Sequence, residues 1–451
     1  TASGATTSNA DAEPGPIPLT PSQEGCLARP RAFLHYRNIA RFFELRRDVS
    51  DDIFKAALAA VWRHHPALRA RFEGRDGRWL QAFEAAGDPP FTSVDLSGLP
   101  TSQHRAAMEK AAAELQPNFR LEQAPLVRFV RFARGPGLRD RLFVLFHHVL
   151  VDGYSCDLVF DDLSRAYEQL QRGESVRLPP TATPFRTWVD HLVAHADSPE
   201  IMDELDSWLA MPFPRLAPLP ADHPHGLDEY RFVARIKRQW DPPATRRLTG
   251  PVAASLGVTA GEIFAAGLLR TLADWSGRDV QAIHEFHNGR VPYLDPALDV
   301  SRTVGYLSYS YPVIAELPAG GDPLADLREV TAQKRRIRHS GQGYSLLRFL
   351  HPDPQIRARM KELPLPQVRL NYRGRVGTAE ADSLLRLSDE SPGPIMSPTH
   401  PRGSLVVTVR IADDRLHTAW QYSSSRHERS TIEGLADRLD DFLRALVARV
   451  D

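Results

Sequence analysis

One stretch constrains the fold of this chain more than any other. Leu142-Phe143-Val144-Leu145-Phe146 runs directly into His147-His148-Val149-Leu150-Val151-Asp152-Gly153. A short apolar run of branched and aromatic residues, with charge before it and turn residues after it, predicts a buried strand. Gly153 is expected to allow a turn that a residue with a Cβ would resist. Beyond it, Leu158, Val159, Leu163, Tyr167 and Leu170 recur on one helical face between Ser155 and Gln171, and Gly173 marks a stop. The pattern is a strand, a tight loop and a helix, with two histidines and an acid at the junction. Successive strand side chains point to opposite faces. If both histidines still lie in the strand, one is structural and the other is free for chemistry.

Histidine has an ordinary pKa of about 6.5, so a neutral imidazole can take a proton from an attacking amine or hydroxyl near neutral pH. Asp152 reads two ways: a carboxylate orienting an imidazole, or a structural acid paired with a distant arginine. A histidine pair in a strand is by itself more often a satisfied core feature. The Asp-Gly at fixed spacing, inside a strand–loop–helix, argues against that plainer reading.

Around this junction the pattern alternates. The segment 39–45 predicts a strand. Ser50 predicts a helix cap, followed by an apolar face of Ile53, Phe54, Ala57, Leu58, Val61 and Trp62. A helix over 102–116 and a strand over 125–132 precede the motif. Pro179-Pro180 and Pro184 mark a break, and 212–224 reads as a proline-rich crossing. A second alternating set follows. It has strands over 230–240, 280–286, 368–372, 405–411 and 416–422. Its helices are one opened by the capping box Thr259-Ala260-Gly261-Glu262, one over 322–339, and a closing helix over 431–450. Two α/β halves suggest two lobes, and clefts between lobes are common ligand sites.

The motif His147-His148-Val149-Leu150-Val151-Asp152-Gly153 resembles the HHxxxDG signature of nonribosomal peptide synthetase condensation domains and their relatives. Those relatives include epimerization domains and other acyltransferases of the chloramphenicol-acetyltransferase fold. Further segments follow the family's order. Leu19-Thr20-Pro21-Ser22-Gln23-Glu24-Gly25 resembles the first condensation motif, and the run from Arg63 to Phe72 resembles RHExLRTxF. Val304-Gly305-Tyr306 resembles IGxF, and Asn371-Tyr372-Arg373-Gly374 resembles the NYLGQ segment of epimerization-type members. The resemblance implies an α/β (α+β) fold of two chloramphenicol-acetyltransferase-like lobes, 19–180 and 181–451, in a V-shaped pseudo-dimer with a tunnel between them.

It also implies roles. His148 lies by the reacting centre and accepts a proton from the nucleophile or holds it in line. His147 is buried and structural. Asp152 fixes the loop through an ion pair, with Arg290 the candidate partner. The Gly153 N–H and its helix N-terminus are candidates to favour a developing oxyanion. Tyr154, Tyr306, Tyr309, Asn371 and Tyr372 are candidate tunnel residues. The epimerases' second acid–base group, the glutamate of EGHGR, falls on Phe286 when the Gly-Arg is aligned. Glu285 is one residue early, on the opposite strand face. Their usual tryptophan after the motif is absent, and the asparagine of the condensation segment IGxFVNTL falls on Tyr309.

The expected protein is therefore a divergent condensation enzyme, an acyltransferase resembling the free-standing members of enediyne pathways. It would move a carrier-tethered aminoacyl or acyl group from a pantetheine thioester to a hydroxyl or amine, with a slight preference for ester formation. The alternatives are an epimerization domain and a non-catalytic platform for carrier proteins or oxygenases. The expected partners are an aminoacyl- or peptidyl-carrier protein and a small-molecule alcohol or amine. No cofactor is expected on this chain, the phosphopantetheine arm coming with the carrier.

Composition supports these expectations by exclusion. Lysine plus arginine and aspartate plus glutamate both number 56, so the formal net charge is zero, against a nucleic-acid or membrane-surface partner. Two cysteines, Cys26 and Cys156, do not make a disulfide framework, and a cytoplasmic location is expected. The first 18 residues are small, polar and proline-bearing and predict a disordered lead-in. The pairs His284/His287 and His223/His225 lack further ligands, so no metal is expected. The run Lys334-Arg335-Arg336-Ile337-Arg338 reads as a solvated helix face or a surface for an acidic partner.

Overall fold

The structure is a computed structural model that describes residues 15–75, 78–318, 320–377, 382–401, 403 and 405–450. It divides into two compact units. The first runs to His195 and also takes in Asn288–Ser308 and the described residues of Ala379–Ser397; the second comprises the remainder. The expected division at residue 180 is therefore displaced. Pro184 precedes a helix, Phe185–His195, that belongs to the first unit, and two later segments return to that unit. Of the expected lead-in, residues 1–14 lie outside the described residues. Ile17 is buried and hydrogen-bonds the Gln81 backbone in both directions, so the folded part begins before Leu19.

The first unit is built on a five-stranded sheet in the order Leu385–Leu387, Asn38–Leu45, Arg141–His147, Val127–Ala133, Phe91–Asp95. The motif strand Arg141–His147 is central and antiparallel to both neighbours, and Leu142 to His147 are all buried. A central strand covered on both faces has no alternation of polar and apolar residues, which is why Leu142–Phe146 reads as a continuous run. The helices Asp51–His64 and Gly153–Gln171 pack against each other. Ser50 Oγ accepts from the Ile53 N–H as the cap pattern predicts, and Phe54, Ala57, Leu58, Val61 and Trp62 are buried.

The second unit carries a six-stranded sheet in the order Val233–Gln239, Arg415–Ser423, Leu405–Ala412, Val368–Arg375, Val280–His287, Tyr309–Glu316. The helix Ala260–Ser276 contacts the helices Pro323–Arg336 and Arg429–Arg449. Its capping box forms as read, with Thr259 and Glu262 satisfying each other's backbone N–H. Among the described residues no single helix is long and apolar enough to cross a membrane.

Candidate active site

The motif strand stops at His147, and the chain turns before the helix begins at Gly153. His147 is fully buried. The Val149 N–H donates to its Nδ1 (3.2 Å), so its proton sits on Nε2, which donates to the Leu34 carbonyl (2.8 Å). Both nitrogens are consumed, and the ring is a structural rivet with its pKa pushed down to about 3 by burial.

His148 is different. Its backbone N–H donates to the Arg37 carbonyl (2.8 Å), and its Nδ1 meets the Val151 carbonyl (3.0 Å). A carbonyl only accepts, so Nδ1 holds the proton and the Nε2 lone pair is left for another partner. The ring stacks on Tyr306, centroids 4.8 Å apart. Burial, with the Arg37 guanidinium adding to it, pushes its pKa down to about 3. The imidazole is thus neutral at any physiological pH, fixed as one tautomer and part-exposed.

Asp152 organises the loop. It caps the helix through the Ser155 N–H (2.8 Å) and accepts from the Leu307 and Ser308 N–H groups (3.0 and 2.8 Å). Arg290 spans both its oxygens, each contact 3.1 Å, and the pair is 2% and 8% exposed. The expected ion pair is therefore present. Asp152 pairs with the guanidinium and has no bond to either histidine. Arg290 is aimed by its own turn, bonding the Asn288 carbonyl and side chain, and its guanidinium lies over the Tyr154 ring.

Gly153 is the first helical residue and is not among the glycines with positive φ, so the turn does not require a glycine there. The requirement falls on Gly305 instead. A Cβ at that position would lie 2.2 Å from the Phe185 ring, and its backbone is clasped by Ser155 Oγ, which meets both its N–H and its carbonyl.

The other motifs resolve into supports for this loop. Thr20 caps the helix Pro21–Leu27 in a capping box with Gln23 and donates through Oγ1 to the Tyr306 carbonyl (2.8 Å). Gln23 Nε2 holds the Val149 carbonyl (3.0 Å). In the second motif, His65 meets Asp162 (2.9 Å) on the motif helix, and Arg302 also pairs with Asp162. His64, His65 and Asp162 have donor atoms within 4.8 Å of one another, but a guanidinium on the carboxylate disfavours a cation there.

The model of the condensation domain matches residues 14–451. The chain belongs to the condensation-domain family. It is similar to a linear gramicidin synthase of Brevibacillus parabrevis, 31% identical over 96% of this chain and 8% of that protein. The chain thus spans less than a tenth of that relative's length. Among solved structures, it resembles the epimerization domain from the third module of tyrocidine synthetase B, with TM-score 0.88, 26% identity and 97% of both chains covered. It also resembles the first condensation domain of the calcium-dependent antibiotic synthetase, with TM-score 0.73, 16% identity, 96% of this chain and 97% of that one.

In this condensation domain the candidate residues fall into two groups. His147, His148, Asp152, Gly153, Tyr154, Arg290 and Tyr306 belong to the first unit. Tyr309, Asn371 and Tyr372 belong to the second, where Tyr309 stacks on His287 and Tyr372 on Phe264. Glu285 is bound by Lys334 (2.7 Å) from the helix Pro323–Arg336, so the basic run is partly spent inside the unit. His284 is buried and His287 stacks on Tyr309, while His223 pairs with Glu428. Ser155, Arg37 and the Leu307 and Ser308 amides are not legible in the sequence as site residues. Their partners are remote along the chain, and no local pattern announces such contacts.

Proposed function

We propose that the chain forms an ester or amide bond. It passes a carrier-tethered aminoacyl or acyl group from a pantetheine thioester to a hydroxyl or amine acceptor. The observation that carries this is the unblocked Nε2 lone pair of a neutral, tautomer-locked His148. With its pKa held near 3, this imidazole is a weak base. It suits an acceptor that becomes acidic only as the new bond forms, when the nitrogen or oxygen gains positive charge. Its first task is to aim the nucleophile by a hydrogen bond, and its second is to take that proton late. The Gly153 N–H, at the start of the helix, is a candidate donor to the oxyanion.

The likeness to an epimerization domain favours a second reading, inversion at the α-carbon of a carrier-bound group. Removing an α-proton needs a far stronger base than an imidazole of pKa about 3. The place of a second acid–base group is taken by Phe286, and Glu285 is held by Lys334.

The test separates them. Carriers loaded with a panel of aminoacyl groups are mixed with alcohols and amines in deuterated water, and products are read by mass spectrometry. The expected result is a new ester or amide without α-deuterium, and a loss of roughly 10²–10⁴-fold in rate for His148→Ala. Deuterium at the α-carbon without bond formation would establish the second reading. For a hydroxyl acceptor, the rate is also expected to show no acid limb near pH 6.5, because His148 is neutral down to about pH 3. A fall centred at pH 6–7 would remove His148 as the group described.

A further inference from the structure

Arg37 differs from the arginines of the first unit that hold a carboxylate. Arg41 is paired with Asp157, Arg141 with Glu44 and Glu390, Arg131 with Asp140, Arg290 with Asp152 and Arg302 with Asp162. Among the described residues no ion pair includes Arg37. Its Nε is buried without a hydrogen-bond partner. Its guanidinium meets the side chains of Cys26 and Tyr306, neither of them a carboxylate. A second guanidinium, Arg29, lies close enough to oppose it, adding positive charge to the same place.

The position matters more than the charge. The Arg37 carbonyl takes the His148 N–H at 2.8 Å, and Tyr306, whose side chain its guanidinium meets, stacks its ring on the His148 ring. The cation is therefore fixed beside the reacting imidazole by backbone and side chain alike. A part-buried guanidinium without an anion is costly, and its planar fork of donors matches a carboxylate. The phosphate of a pantetheine arm is not the natural occupant. When the thioester is at His148, the length of the arm keeps that phosphate remote.

We propose that Arg37 binds a carboxylate of the substrate, carried by the acyl group or by the acceptor, and so selects acidic over neutral partners. This rests on the acyl-transfer reading for its location, yet it is measurable without bond formation. Two matched pairs serve as probes: the N-acetylcysteamine thioesters of aspartate and asparagine for the donor side, and serine and serinamide for the acceptor side. Binding is measured by calorimetry on the wild type, Arg37→Gln and Arg37→Lys, with near-ultraviolet circular dichroism as a check that each is folded. In one pair the wild type is expected to prefer the carboxylate by about 10-fold or more. Arg37→Gln should bring that ratio to about 1, and Arg37→Lys should restore part of it. The pair that responds identifies the side. Absence of a carboxylate preference in both pairs, or a preference untouched in Arg37→Gln, overturns the proposal. A wild type that prefers the carboxylate but transfers no acyl group would overturn the proposed reaction and leave this subsite standing.

Discussion

Asp152→Ala is expected to destabilise the protein by about 3–5 kcal/mol, because it strands a buried cation. The removed carboxylate also satisfies the N–H groups of Ser155, Leu307 and Ser308. The pair is asymmetric. Without Arg290, Asp152 would keep those three amide donors, so Arg290→Met should cost less than Asp152→Ala. Without Asp152, Arg290 keeps the Asn288 carbonyl and Ser155 Oγ, which leave its charge uncompensated. Asp152→Asn should fall between them, retaining an oxygen acceptor but not the charge. Urea unfolding of the three variants gives the order directly. An Arg290→Met variant less stable than Asp152→Ala would show that the carboxylate is not the centre of this network.

Acid should destabilise the protein well before its carboxylates titrate. His147 and His284 are buried with pKa values pushed down to about 3, chiefly by loss of solvent. In the unfolded chain each returns to about 6.5. A histidine depressed in the folded state is protonated first in the unfolded state. Its contribution is thus fully present above about pH 6.5 and shrinks as pH falls toward 3. The loss is about 1.4 kcal/mol per pH unit per histidine, so on the order of 4 kcal/mol for the two at pH 5. That is a large part of an ordinary stability of about 5–15 kcal/mol. His148, pushed down to about 3, and His65, depressed mainly by burial, pull in the same direction. The measurement is the urea midpoint between pH 7.5 and 4.5. His284 Nε2 has no hydrogen-bond partner, and the Ser310 carbonyl its ring meets also takes the Ser345 hydroxyl. His284→Leu should therefore flatten the curve without stranding another group. A midpoint that does not move between pH 7.5 and 5 would contradict the burial argument.

What is legible in the sequence is what local chemistry encodes. The motif strand, its helix, the Ser50 cap, the Thr259 capping box and the closing helix all carry a signal within a few residues. The helix Pro199–Leu209 carries one too, Ser198 as cap and Pro199 at the first turn, but the surrounding prolines read as a break. The strand Tyr309–Glu316 is masked by Pro312. It is an edge strand of the six-stranded sheet, where a missing N–H is tolerated. At the site, His147 and His148 can be told apart in principle by strand alternation, and Arg290 as a partner comes from the resemblance. The grip of Ser155 on Gly305, and of Arg37 on His148, joins segments some 150 and 111 residues apart. No periodicity reports a closure of that kind.

The return of Asn288–Ser308 to the first unit has a consequence for how such a protein can be cut or recombined. A fragment ending at His195 would contain the imidazole but neither the countercharge of Asp152 nor the aromatic plate under His148, since Arg290 and Tyr306 arrive 95 and 111 residues later. Chimeras that exchange halves at the midpoint would therefore mismatch one motif loop against a foreign clasp. The exchangeable unit is discontinuous, and inheritance of the motif alone would not transplant its chemistry.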